Sequence, residues 1–168
     1  MLTEGSHLGD DFLAHVARDW EAAARAPMRV VNGRFGLVLG REGGLFAVLK
    51  PLFQWGLGGP VGSGRQWVSW VALHDLVRVV DYAIETPELS GPINVVAPHP
   101  MREAEFARGI ARALVRPCWL RVPEWALGEM GRSLMLASQR VLPHKLEEGG
   151  FRFCKPTLDA ALKDIDPI

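Results

Sequence analysis

Two cysteines, a single tyrosine and no excess of either charge characterise this 168-residue sequence. Cys118 and Cys154 lie far apart and form no CxxC pair, which argues against a disulfide framework or a zinc site and fits free thiols in the cytoplasm. Nineteen basic residues balance nineteen acidic ones, so no long-range field attracts nucleic acid or anionic lipid. No apolar run approaches the roughly 20 residues of a membrane span, and the first residues lack the pattern of a secretion signal. We expect a soluble, cytoplasmic protein that binds neither nucleic acid nor membrane.

Apolar residues recur at helical spacing near the amino terminus. Residues 11–24 predict an amphipathic helix, with Asp10 or Asp11 as its cap and Pro27 as its stop. Residues 28–31 and 34–39 then have an extended, apolar pattern. Because Asn32-Gly33 lies between them, an interrupted strand and a tight hairpin are both possible.

Residues 40–64 are dense in glycine and include Pro51 and Pro60. We predict a long, mostly irregular segment that packs on a core through its interspersed aromatic residues, with room for a short helix over residues 45–52.

Two strand-to-helix units follow. Residues 67–73 predict a strand that leads into a helix at Asp75, and residues 93–96 predict a strand before a helix that begins near Arg102. Strands that alternate with helices indicate an α/β layer with parallel pairing. The first helix is expected to bury the stripe Leu76, Val77, Val80, Ala83 and Ile84, and the second to bury Phe106, Ala107, Ile110, Ala113 and Leu114. Beyond Pro117 the pattern predicts an extended piece over 119–122, a helix over 124–138, a turn at Gly149-Gly150 and a last helix from Thr157.

Few motifs carry chemistry. Gly56, Gly59 and Gly62 match a GxxGxxG spacing, but no strand and helix flank them and Pro60 offers no N–H to an anion. Tyr82 has no lysine four positions later, and the histidines share no metal-ligand spacing. These residues predict no nucleophile, no proton-transferring tyrosine and no metal cage.

The run from Gly62 to Trp70 is the strongest candidate binding segment. It combines flexible backbone with Arg65, Gln66, Trp67 and Trp70, which suit a polar ligand that bears phosphates or sugar hydroxyls. The alternative is that both tryptophans pack in a core or an interface while Arg65 is solvated.

Ordered matches along residues 10–165 resemble the NAD-dependent epimerase-like, or cell-division-inhibitor-like, family of atypical extended short-chain dehydrogenase/reductases. The segments that carry the resemblance include Asp11-Phe12-Leu13, Trp20-Glu21-Ala22-Ala23, Arg34-Phe35-Gly36-Leu37-Val38-Leu39-Gly40, Gly56-Leu57-Gly58-Gly59-Pro60, Gly62-Ser63-Gly64-Arg65-Gln66, Asn94-Val95-Val96-Ala97-Pro98, Val141-Leu142-Pro143 and Gly150-Phe151-Arg152-Phe153.

The resemblance implies the carboxy-terminal part of a Rossmann-like fold: a partial Rossmann-like, substrate-binding portion over 1–117 and a small α-rich module over 118–168. It implies that the chain begins after the glycine fingerprint and the catalytic tyrosine, so no catalytic residue is assigned and NAD or NADP is not held by this chain alone. Cofactor contact is expected at Gly36, Leu37 and Val38, near the nicotinamide, and substrate contact at Arg65, Gln66, Trp67 and Trp70.

Two departures from the family pattern matter. Asn32-Gly33 replaces large apolar residues and would distort a buried strand. Ala72 stands where relatives carry a histidine, so His74 inherits no role. Asp75 is expected to be a helix cap, with functional contact as the alternative.

The first hypothesis is therefore the substrate-binding half of an NAD(P)-dependent epimerase or oxidoreductase, inactive alone, with a small polar substrate and a separately encoded amino-terminal half as partner. The second is a non-catalytic interaction protein, associated with cell division, that forms a homo-oligomer or binds a partner through the surface left by the missing half. A third is a fragment without function.

Overall fold

A computed structural model of the protein describes residues 1–24, 26–41, 43–127 and 136–165. The helices in these ranges are α1 (Phe12–Ala23), α2 (Gly44–Gln54), α3 (Leu73–Glu85), α4 (Glu103–Ala113), α5 (His144–Glu148) and α6 (Leu158–Ile165), with a 3-10 turn at Glu124–Leu127. The strands are β1 (Val31–Phe35), β2 (Leu37–Leu39), β3 (Trp67–Val68), β4 (Trp70–Ala72), β5 (Gly91–Val95) and β6 (Met101–Arg102).

Helix α1 begins where its sequence predicts. The Asp11 carboxylate accepts a hydrogen bond of 2.8 Å from the backbone N–H of Ala14 and so satisfies one of the free donors of the first turn. The predicted cap is confirmed. None of the residues of α1 is buried.

Strand β1 pairs in parallel with β5, in register from Val31 opposite Gly91 to Phe35 opposite Val95. Asn32 and Gly33 lie inside this register, so the hairpin alternative is wrong. Asn32 is only half-buried and Gly33 is exposed, so the polar amide is not enclosed in a core. The distortion expected at this position therefore does not arise.

The interruption lies at Gly36, where the strand changes its partner. Gly36 donates a hydrogen bond of 3.2 Å to the carbonyl of Val95, and the next N–H, of Leu37, donates one of 2.9 Å to the carbonyl of Ser69. From there β2 pairs in parallel with β4. The polypeptide thus leaves β5 and joins β4 within one residue.

Two apolar cores lie on opposite faces of the strands. Successive side chains of a strand point to opposite faces, and in β4 Trp70 and Ala72 belong to one core while Val71 belongs to the other. Helices α2, α4 and α6 cover the first core through Phe46, Phe53, Phe106, Ile110, Leu158 and Leu162. Helices α3 and α5 cover the second through Val79 and Leu146. This layering confirms the α/β prediction, and the pairs β1–β5 and β2–β4 are parallel as predicted. The strand predicted over 67–73 is divided into β3 and β4, and β3 pairs antiparallel with β6.

Two predictions about helices need correction. The glycine-rich segment is less irregular than expected, because α2 extends over eleven residues with Pro51 inside it. In α3, three members of the predicted buried stripe are exposed: Val77 by 51%, Val80 by 46% and Ile84 by 68%. In α4, Phe106, Ala107 and Ile110 are buried as predicted.

The carboxy-terminal region shares the first core, since α6 packs against α4 there. Most of the helix predicted over 124–138 lies outside the described residues. The division into 1–117 and 118–168 stays a prediction. In the part of the chain that the structure describes, no helix combines the length and apolar character that crossing a membrane requires.

Candidate functional site

A cavity of about 460 Å³ lies where β1 and β5 end. Residues 34–37 and Val96 form one side, residues 67–69 another, and the amino-terminal segment and α1 a third. Residues 137–139 and Val141 complete the lining. Ligands of open parallel sheets bind beyond the carboxyl ends of the strands. The position and volume of this cavity suit a small-molecule site.

Gly36 is required at the wall of this cavity. A Cβ atom built there would lie 2.7 Å from the backbone oxygen of Ser69 and 2.9 Å from a methyl group of Val96. Both distances are shorter than real Cβ contacts allow. Only glycine permits the strand to pass this close to its neighbour.

An ion pair joins α1 to β1 inside the cavity lining. The Arg34 guanidinium donates hydrogen bonds of 2.6 and 2.7 Å to the two carboxylate oxygens of Glu21. These bonds lower the pKa of the Glu21 carboxyl and raise that of the Arg34 guanidinium. Since α1 has no buried residue, this bidentate pair is a principal tie between the helix and the strand.

Of the three residues predicted to contact the nicotinamide, two line the cavity and one does not. Gly36 and Leu37 line the cavity. Val38 does not belong to the lining and packs against the second core. Adjacent residues of a strand face opposite sides, so Val38 backs the wall that Leu37 forms.

Of the four residues predicted to contact the substrate, one lines the cavity. Trp67 lines the cavity, whereas Arg65, Gln66 and Trp70 are absent from its lining. Gln66 is buried, and its amide donates a hydrogen bond of 3.0 Å to the carbonyl of Val61. Trp70 is 0% exposed within the first core. Gln66 and Trp70 are therefore buried away from the cavity, and Arg65 is exposed.

Trp67 also contacts residues that sequence reasoning missed. The guanidinium carbon of Arg102 lies 3.9 Å from the centre of the Trp67 ring, and that of Arg140 lies 4.5 Å from it. Sequence spacing gives no sign of these contacts, because Arg102 and Arg140 are far from Trp67 along the chain.

Ser69 holds the side of the cavity that residues 137–139 and Val141 form. Its hydroxyl donates a hydrogen bond of 2.8 Å to the carbonyl of Gln139 and accepts one of 2.9 Å from the N–H of Val141. The Trp67 N–H donates one of 3.2 Å to the Ser138 hydroxyl. The segment 138–141 is thus held against the strand segment 67–69.

Asp75 connects α3 to the carboxy-terminal region. Its carboxylate accepts hydrogen bonds from the N–H groups of Cys154 at 2.9 Å and Lys155 at 2.7 Å, and from Arg78 at 3.1 Å. The helix cap is Ala72, two residues before His74, so the expected capping role of Asp75 is wrong. With His74 and Cys154 it forms a group of potential metal ligands, but these bonds already occupy the carboxylate and Arg78 repels a cation.

Glu103 is a buried carboxyl group outside the cavity. It is 2% exposed and accepts a hydrogen bond of 3.0 Å from the N–H of Val61. Burial raises the pKa of the Glu103 carboxyl to about 7. The group holds the loop that contains Gly62 and is not placed to contact a ligand in the cavity.

The glycine loop itself does not fit a pyrophosphate. It follows helix α2, and its glycines serve close internal packing: a Cβ at Gly59 would lie 1.7 Å from the Leu120 oxygen, and one at Gly62 would lie 2.5 Å from a Glu124 oxygen.

The parallel pairs β1–β5 and β2–β4, covered by helices on both faces and with a ligand-sized cavity at their carboxyl ends, are typical of a Rossmann-like protein. Comparison with known proteins narrows this class. Residues 121–165 match a family described as a domain of unknown function, DUF1731. The chain is 41% identical over 171 residues to the chloroplastic epimerase family protein SDR39U1 homolog of Arabidopsis thaliana, a match that covers 98% of this chain and 49% of that protein.

Two further relatives are also epimerase family proteins. The epimerase family protein YfhF of Bacillus subtilis is 41% identical over 173 residues, which are 98% of this chain and 56% of that protein. The crystal structure of human epimerase family protein SDR39U1 with NADPH matches with a TM-score of 0.90 and 36% identity, over 97% of this chain and 58% of that one. The chain is therefore related, over nearly its whole length, to the NAD-dependent epimerase-like extended short-chain dehydrogenase/reductases. It spans about half the length of the curated relatives it matches.

Proposed function

We propose that these residues form the substrate side of an NAD(P)-dependent epimerase-like or oxidoreductase-like active site. The observation that carries the proposal is the cavity at the carboxyl ends of β1 and β5, which brings Gly36, Leu37 and Trp67 together. In the relatives, about half of the length lies outside the match with this chain. That part of the fold would bind the dinucleotide and supply the proton-transferring tyrosine. The chain alone is then inactive.

The cofactor would meet this chain at its nicotinamide end only. NAD or NADP, when bound, supplies hydride transfer. Gly36 and Leu37 would contact the ring, and Val38 would support them from behind. The NADPH in the structure of the human relative supports NADP(H), with NAD as the alternative.

The substrate would be a small polar molecule. Trp67 offers it a flat apolar wall, and Arg65 offers a guanidinium beside that wall. Gln66 and Trp70 would position this segment, because both side chains are buried beneath it. The cytoplasmic location expected from the cysteine content stays a prediction.

A chimera tests this proposal. These residues would replace the matching part of the human protein that was crystallised with NADPH. We expect the chimera to bind NADPH stoichiometrically in calorimetry, and Leu37→Ala to weaken binding about tenfold through lost apolar contact.

The matched control is Leu57→Ala, since Leu57 is 57% exposed and lies outside the cavity lining. A folded chimera that binds no NADPH would contradict the proposal. Equal weakening by the two substitutions would contradict the assignment of Leu37.

The second candidate is a non-catalytic interaction protein, associated with cell division, that forms a homo-oligomer or binds a partner. Exposed apolar side chains favour it: Phe12 and Trp20 of α1 are 78% and 76% exposed, and Ile84 of α3 is 68% exposed. Within the described residues β1 pairs only with β5, so its other edge is open to a further strand. Light scattering on the purified chain tests the homo-oligomer. A clean monomer would contradict it.

A further inference from the structure

An exposed thiol lies beside an imidazole where α3 meets the carboxy-terminal region. The sulfur of Cys154, a ring nitrogen of His74 and a carboxylate oxygen of Asp75 all lie within 4.8 Å of one another. Cys154 and His74 are exposed, whereas Asp75 is buried. The fold brings this cluster together from two distant parts of the sequence, so motif spacing could not indicate it.

The backbone on both sides of the thiol is held in place. The N–H groups of Cys154 and Lys155 donate hydrogen bonds of 2.9 and 2.7 Å to the two carboxylate oxygens of Asp75. Immediately before them, Phe153 packs against the second core, with its ring centre 4.9 Å from that of Phe151. These contacts keep the Cys154 side chain next to the first turn of α3, where His74 lies.

Charged groups surround the cluster on both sides. On α3, the His74 Nδ1 lies 3.7 Å from the Asp75 Oδ1, and Arg78 donates hydrogen bonds of 3.1 Å to that oxygen and 2.7 Å to the carbonyl of Arg152. Along the chain, Arg152 and Lys155 flank the thiol. Because hydrogen bonds already occupy the Asp75 carboxylate, the imidazole is the member of the cluster that can accept a proton from the thiol.

A thiol paired with an imidazole is suited to thiol–disulfide exchange. The thiolate is the nucleophile in this reaction, and an adjacent base activates a cysteine by accepting its proton. Exposure adds the second requirement, because a small disulfide must reach the sulfur. Cys154 and His74 do not line the cavity at the ends of β1 and β5, so this chemistry is separate from the proposed substrate site.

We propose that Cys154 is a modification site that forms a mixed disulfide with a small-molecule disulfide, such as glutathione disulfide. His74 accepts the proton of the Cys154 thiol, and the resulting thiolate attacks one sulfur of the small disulfide. The S–S bond of that molecule breaks while a new S–S bond to Cys154 forms, and the leaving thiolate takes the proton from His74. One thiol and one disulfide are consumed and one of each is produced, so no further oxidant is required.

Glutathione disulfide is the probe for this site. The purified chain is incubated with it at about pH 7, and mass spectrometry of proteolytic peptides follows the adduct on each cysteine over time. The second cysteine of the chain is an internal control, because Cys118 is half-buried and burial raises the pKa of its thiol. We expect Cys154 to acquire the adduct at least about tenfold faster than Cys118.

The pH profile of His74→Gln tests the role of the imidazole. At about pH 7 this substitution should slow the reaction of Cys154 about tenfold, as expected for loss of a general base. At about pH 9.5, above the ordinary thiol pKa of about 8.5, a thiol ionises without assistance, and the variant and the wild type should react at equal rates. His15→Gln is the matched control, since it removes an exposed imidazole from α1. Circular dichroism at both pH values checks that the proteins are folded.

A wild-type chain in which Cys154 stays unmodified, or in which Cys118 reacts equally fast, would overturn the proposal. Equal rates for His74→Gln and His15→Gln at about pH 7 would overturn the part assigned to His74, as would a loss in His74→Gln that persists at about pH 9.5. None of these measurements involves a nucleotide, so their outcome is independent of the NADPH chimera.

Discussion

Gly36 is the residue on which the geometry of the site most depends. The strand passes so close to Ser69 and Val96 that a side chain cannot be accommodated without movement of backbone. This requirement could not be deduced from the sequence, where Gly36 is one of eighteen glycines. The resemblance to a family placed it at the nicotinamide, but its contacts with Ser69 depend on residues 33 positions away.

Gly36→Ala should lower the free energy of unfolding by about 1–3 kcal/mol, because overpacking forces the two strands apart. Urea denaturation measures the change. Gly5→Ala is the control, since nothing lies within 4 Å of a Cβ built at Gly5, and it should change stability by less than about 0.5 kcal/mol. Equal effects would contradict the close-approach account.

The Glu103 carboxyl makes a pH-dependent contribution to stability. Its pKa of about 7 in the folded protein exceeds the ordinary value of 4.5, so the folded state binds more protons between these pH values. Stability should therefore fall as pH rises from about 4.5 to about 7. Glu103→Gln keeps an acceptor for the Val61 N–H, and denaturation at a series of pH values should show a smaller fall for this variant. An unchanged pH profile would contradict the assignment to Glu103.

At the scale of elements, α1 was predictable from its cap and its helical apolar pattern, and α4 was predictable from its helical apolar pattern. Helix α2 was underestimated, since glycines at its start and Pro51 within it resemble a loop. The buried face of α3 was mispredicted. Its outward residues Val77, Val80 and Ile84 are as apolar as its inward ones, and periodicity does not distinguish a core from an uncovered surface.

Helix α1 should depend on its ion pair with β1. Glu21→Gln should accelerate hydrogen exchange of α1 amides several-fold while overall stability changes by no more than about 1 kcal/mol, because the pair is partly solvated. Asp19→Asn on the same helix is the control, since Asp19 is exposed. Equal exchange in the two variants would show that other contacts hold α1.

Asp75 should matter for the carboxy-terminal segment. Asp75→Asn removes charge and part of the acceptor capacity used by the N–H groups of Cys154 and Lys155. We expect a loss of about 1–3 kcal/mol in unfolding free energy. Asp81→Asn, exposed on the same helix, should change it little. Denaturation of both variants provides the comparison, and equal losses would contradict the account.

At the scale of the whole molecule, the α/β class followed from alternating strands and helices, and the family followed from ordered motifs. The meeting of Trp67 with Arg102 and Arg140 could not be predicted, because it joins β3 to its antiparallel partner β6 and to Arg140, which lies far along the chain. Such long-range contacts depend on tertiary packing, which single-sequence patterns do not encode.

The central claim is that these residues provide the substrate side of a site whose nucleotide is gripped elsewhere in the fold. Calorimetric titration of the purified chain with NADPH tests it most directly, with the NADPH-binding human relative as the positive control. The account predicts no stoichiometric binding by the chain alone. Tight, one-to-one binding of NADPH by the unaccompanied chain would contradict it.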